Sequence, residues 1–147
     1  MVRIVFVAIA LALAACATPA SQSSAQDQFF ANLEQLCGQS YAGRVVTNDS
    51  ADAAFASQTL LMQVRACSAS EIRIPFHVGE NRSRTWVITR TSAGLRLKHD
   101  HRHEDGSEDV LTQYGGDTAN SGSPTRQEFP ADAFSQALFV ENNIPQS

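Results

Sequence analysis

The sequence predicts a mainly β domain: an antiparallel meander forming a curved sheet or small barrel, with a short N-terminal helix before it and a C-terminal helix after it. Three observations carry this reading. Apolar residues recur at helical spacing near residue 30 and again near residue 135; between residues 60 and 114 the period switches to two; and short polar turns separate the period-two runs.

The domain is expected to span residues 27–147. Phe29, Phe30, Leu33, Leu36 and Cys37 form an amphipathic helical stripe, with Asp27 placed to cap it and Gly38 to stop it. A first strand follows over residues 41–47. In the next strand Leu60, Met62, Val64 and Ala66 share one face, with Gln63, Arg65 and Cys67 on the other; in the one after it, Ile72, Ile74, Phe76 and Val78 share a face. Pro75 has no N–H for a ladder, so that strand is expected at an edge or with a bulge. The polar turn 79–83 leads into a strand over 84–91, and Ser92-Ala93-Gly94 turns the chain into a strand over 95–103. The turn 104–107 opens a strand over 109–114. Residues 115–124 read as a loop, residues 125–129 as a final strand, and Pro130 to Phe139 as a closing helix with the stripe Ala133, Phe134, Ala137 and Leu138.

Ahead of the domain, Arg3 and an unbroken apolar run from Ile4 to Ala15 have the layout of a signal peptide over residues 1–15. The run is well short of the roughly 20 residues a membrane-spanning helix needs. Leu13-Ala14-Ala15-Cys16 resembles the lipobox of bacterial lipoproteins. That resemblance implies cleavage before Cys16, acylation of its thiol (palmitate among the chains), and a membrane partner held through the anchor. Ala17 in place of Asp after the cysteine implies, by the same analogy, the outer membrane, with the domain facing the periplasm. A secretory cut after Ala17 also fits the small-residue rule and would leave a soluble periplasmic or secreted protein. Residues 16–26, small and polar, read as a flexible tether.

The layout of leading helix, meander and trailing helix resembles calycin-like barrels, which implies a barrel. The chain departs from that family's opening Gly-x-Trp: Gly38 and Gly43 flank Tyr41, and the single tryptophan, Trp86, falls in mid-meander. The stretch from Trp86 to Gly116 also resembles uncharacterised exported bacterial proteins, a resemblance that implies no activity.

The chain carries a formal charge of −4, and loss of residues 1–15 removes Arg3 and no acid, leaving −5. Nucleic acid is therefore excluded as a partner, since its binding rests on basic side chains neutralising phosphates. Of three cysteines, the anchor that the lipobox resemblance implies would consume Cys16, and Cys37 and Cys67 would remain as a disulfide or as two buried thiols.

Chemistry concentrates between Leu95 and His103. Alternation places Leu95, Leu97, His99, His101 and His103 on the inner face and Arg96, Lys98, Asp100, Arg102 and Glu104 on the outer. Adjacent histidines of this row, with a carboxylate from a neighbouring strand, have the spacing to hold zinc or copper; His99 and His103 stand roughly 13 Å apart on a straight strand, so all three on one ion require a bulge. The same imidazoles serve equally as hydrogen-bonded structural groups, or as a general base in an enzyme whose other groups the sequence does not reveal. Glu104, Asp105, Glu108 and Asp109 read as a solvated turn or a calcium-binding one. His77 falls on an outer face. Trp86, beside Ile88, is a core residue or the wall of a ligand cavity. With no nucleophile elbow and no phosphate loop, the expected function is a non-enzymatic binding or accessory module of the envelope taking a small-molecule ligand; the alternatives are a periplasmic metal-binding protein and an enzyme with a histidine base.

Overall fold

The computed structural model describes residues 24–144. The signal segment, Cys16 and the tether as far as residue 23 lie outside the described residues.

Helix α1 (Ala25–Glu34) starts earlier than the expected Asp27. Its cap is Ser24, whose Oγ accepts from the Asp27 N–H at 3.0 Å while Ser24 N–H donates to the Asp27 carboxylate at 3.2 Å. Asp27 is thus the return arm of a capping box, written in the sequence as Ser-x-x-Asp. Ala25 and Gln26, assigned above to the tether, belong to the helix. The apolar stripe is as expected: Phe30 is fully buried, and Phe29, Leu33 and Leu36 pack beside it. Gly38, at φ +85°, ends the helical turns, and its N–H donates to Val64 O at 2.8 Å. Cys37 and Cys67 are joined as a disulfide, Cα atoms 6.2 Å apart, tying the end of α1 to the loop after the second strand.

Six strands follow: β1 (Ser40–Gly43), β2 (Leu60–Gln63), β3 (Glu71–Val78), β4 (Asn81–Thr91), β5 (Gly94–His101) and β6 (Tyr114–Asp117). They form one antiparallel sheet in chain order, the expected meander, and it stays open. A barrel does not form because the outer edge of β6 is taken by helix α3 (Ala133–Glu141). Ser135 Oγ accepts from Gly115 N–H at 2.8 Å and donates to Gly115 O at 2.9 Å, and Asp132 N–H donates to the same oxygen at 2.8 Å. Pro75 is in an interior strand, at the gap in the β2–β3 ladder between the Met62–Phe76 pair and the Arg65–Arg73 bridge, where no N–H is needed; the bulge lies near His77.

Four expected elements are corrected. Strand β1 stops at Gly43, and residues 44–59 leave the sheet, carrying a 3-10 turn (Ser50–Asp52) and the short helix α2 (Ala53–Ala56). Strand β6 begins where the expected strand was to end, and Gly115-Gly116, read above as the start of a loop, are its middle. A Cβ on Gly115 would lie 2.0 Å from Leu97 O, and one on Gly116 1.9 Å from Pro130 O, so the glycines permit close backbone approach. Residues 125–129 form no strand and contribute only the Ser123–Arg126 bridge. Helix α3 is capped by Asp132 and rotated from the expected stripe: it buries Ser135 and sets Phe139 against Tyr114 at 5.2 Å, leaving Phe134 54% exposed. The demand of the β6 edge for a hydroxyl overrides the apolar pattern.

Candidate functional site

Alternation along β2–β6 puts most of the apolar side chains on one face, Leu61 and the buried Val87 being on the other, and the strand registers arrange them in cross-strand rows. One row runs Ile72, Ile88, Leu97 and Gly116; the next Ile74, Trp86, His99 and Tyr114; the next Tyr41, Met62, Phe76, Arg84 and His101. Helix α1 lies over the first row: Phe30, Val64, Ile72, Ile74, Ile88 and Leu95 make the sealed core. Arg90 holds the helix in place, its guanidinium 4.2 Å from the Phe30 ring and paired with Asp27.

The third row has no such cover. Its apolar members, with Leu60 and Trp86, floor a groove of about 570 Å³ walled by Phe55 and by residues 44–47. That volume suits a small-molecule site. Trp86 is half-buried, packing against the core cluster and bordering the groove. A polar cavity of about 930 Å³ adjoins the other end of the row, lined among others by Arg84, His101, Arg102, His103 and Asp109.

The histidine row divides. His99 is 3% exposed, enclosed by Trp86 at 4.8 Å and Tyr114 at 4.5 Å between ring centroids. Burial, helped by the positive field of His101 and Arg84, lowers its pKa to about 4, so it is neutral at pH 7; its Nδ1 has no hydrogen-bond partner. His101, half-buried, turns Nδ1 to within 3.5 Å of Asp109 Oδ1. His103 lies past the end of β5, exposed, with Nε2 3.8 Å from Asp109 Oδ2. The expected strand over 95–103 is two residues too long, because Arg102 bridges to Glu108 and the chain then turns. The His99 and His101 rings lie 5.6 Å apart and His101 and His103 share Asp109, yet among the described residues no group of three or more His, Cys, Asp or Glu is placed to hold a metal ion.

Three of the four acids of the turn are engaged. Asp105 accepts from the Ser107 N–H at 2.9 Å and hydroxyl at 2.6 Å, Glu108 from Arg102 at 3.1 Å, and Asp109 from the Leu111 N–H at 2.8 Å. Hydrogen bonds from Ser107 hold the Asp105 carboxyl below its ordinary range, and that from Leu111 does the same for Asp109. His77 is half-buried on the outer face.

Two parts of this face escaped the sequence reading. Phe55, alone in an alanine-rich stretch, becomes a groove wall through α2, and the lone aromatic in Ala53-Ala54-Phe55-Ala56 was its only signal. Arg84 falls in phase with Trp86 and Ile88 and so belongs to the inner face, which period-two counting extended by one strand pair reveals. Compared with protein-family models, with curated proteins and with solved structures, the chain matches none.

Proposed function

We propose that this chain is a non-enzymatic binding module of the bacterial envelope, held at the outer membrane through a lipidated Cys16 and facing the periplasm, and that its ligand is an apolar small molecule seated in the groove floored by Tyr41, Met62, Phe76 and Trp86. One observation supports the binding reading above others: a period-two apolar face continues beyond the helix that seals it, and its uncovered part is concave. Monomeric soluble domains seldom leave such a surface open without a use for it. The histidines do not compete with this reading, since the buried one is enclosed by aromatic rings and the other two face a carboxylate.

Trp86 is the single tryptophan of the chain and borders the groove, so its fluorescence responds to a ligand bound there. Titration of the mature chain with the neutral dye N-phenyl-1-naphthylamine is expected to give saturable energy transfer from Trp86, and Met62→Glu, which puts a charge on the floor, is expected to weaken it at least roughly ten-fold, about 1.4 kcal/mol, while the far-ultraviolet circular dichroism is unchanged. Linear, non-saturating quenching sinks the groove. The anchor is tested separately: the mass of the chain extracted from its host membrane should show a diacylated or triacylated Cys16, and Cys16→Ser should abolish the membrane fraction.

A further inference from the structure

The row Tyr41, Met62, Phe76, Arg84 crosses four consecutive strands in register. Three inter-strand spacings give it a length of roughly 14 Å. Its first three members are apolar and floor the groove; the fourth, Arg84, lines the adjoining polar cavity and reaches back to Phe55, the wall of the groove. The apolar floor therefore runs up to a cation at the boundary between the two cavities.

Arg84 differs from the other arginines of the described chain. Arg73, Arg90, Arg96, Arg102 and Arg126 each pair with a carboxylate. Arg44, Arg65 and Arg82 have no such pair and are exposed, whereas Arg84 has none and is half-buried. Its bonds go to neutral oxygens, Asn81 Oδ1 at 3.1 Å and Ser83 Oγ at 3.4 Å. Its guanidinium carbon stands 5.8 Å from the centroid of Phe55, the aromatic wall of the groove. With no carboxylate against it, its field spreads to the neighbouring groups, bearing on His99, Tyr114 and Asp109 alike. The nearby Asp109 carboxylate is turned towards His101 and the Leu111 N–H.

We infer that the ligand is a single-chain amphiphile with a carboxylate head: the aliphatic chain lies along Tyr41, Met62 and Phe76 beneath Phe55, and the head is gripped by the Arg84 guanidinium. This rests on the groove being a binding site, as proposed above. A guanidinium fork matches a carboxylate in two parallel hydrogen bonds, strengthened where the surroundings are apolar. The cavity around Arg84 also carries Glu80, Glu104 and Asp109, which repel a dianion more than a monoanion, so a carboxylate fits better than a phosphate. A linear floor favours an unbranched chain over a fused ring system.

The experiment follows Trp86 fluorescence of the mature chain during titration with dodecanoate, dodecanol, dodecylammonium and dodecyl phosphate. Dodecanoate is expected to bind about ten-fold more tightly than dodecanol, with dodecylammonium weakest. Arg84→Gln is expected to erase the preference of dodecanoate over dodecanol, with an unchanged far-ultraviolet circular dichroism spectrum showing that the variant is folded; Arg84→Lys should keep part of the preference. Equal affinity for dodecanoate and dodecanol in the unsubstituted chain overturns the carboxylate head and leaves the groove standing. Tighter binding of dodecyl phosphate than of dodecanoate overturns the choice of a monoanion. A preference that survives Arg84→Gln overturns the assignment to Arg84, and failure of all four amphiphiles to bind overturns both the inference and the groove.

Discussion

At one end of the inner face, Phe30, Val64, Ile72 and Leu95 are shut away from water; two rows along the same strands, Tyr41, Met62 and Phe76 remain open to it. The alternation that aims the side chains is the same in both places, and so are the residue types. What differs is the cover. Helix α1, capped by Ser24, pinned by Arg90 and clamped by the Cys37–Cys67 disulfide, closes the first region, whereas only residues 44–57, with one four-residue helix, border the second. Burial supplies stability roughly in proportion to the apolar area removed from water, so the covered end should hold the fold and the uncovered end should be free to spend its surface on a ligand.

The sharpest way to break this contrast is to truncate one phenylalanine in each region. Phe30→Ala should cost about 4 kcal/mol, as large-to-small changes do in a sealed core, and Phe76→Ala about 1 kcal/mol, since its ring is already partly wet. Urea denaturation followed by circular dichroism measures both; equal losses would mean that the groove is part of the core. The row between the two regions gives the next largest effect. His99 has its pKa lowered from 6.5 to about 4 by burial, then by the charges of His101 and Arg84. The unfolded chain therefore binds more protons than the folded one between those values, so stability is full above pH 6.5 and falls as pH drops towards 4. The loss attributable to this group is up to roughly 3 kcal/mol, and His99→Phe should flatten that part of the pH profile. A profile of unchanged slope in the variant would show that His99 is not held neutral by its surroundings. The smallest change concerns the cover itself: Ser24→Ala should cost about 1 kcal/mol and speed hydrogen exchange at the N-terminal amides of α1, with no change in groove affinity.

How much of this was legible depended on which force set each residue. The meander was readable because Ile72 to Val78, Arg84 to Thr91 and Leu95 to His101 alternate under one rule, an apolar face against α1 and a polar face to water. The α1 stripe was readable for the same reason. Strand β6 was not, because Gly115 and Gly116 are chosen for close backbone approach, and glycine says turn to any reader counting side chains. The face of α3 was misjudged because a hydroxyl, Ser135, was needed at a backbone edge more than an alanine was needed in the core. In the site, Trp86 was singled out, and it packs against the core cluster while bordering the groove. The histidine row was placed on the correct face but not assembled, since the length of β5 is decided by the Arg102–Glu108 bridge rather than by the pattern that precedes it. The groove wall at Phe55 depends on where residues 44–59 return, and local periodicity carries no information about that.

The arrangement at Gly115 bears on how copies of this chain behave when crowded. An open sheet has two edges, and a ribbon of many chains needs both. Here Ser135 and Asp132 occupy the β6 edge, while among the described residues no strand pairs with the outer side of β1. Edge-to-edge association through β1 therefore stops at two chains, each copy being its own terminator.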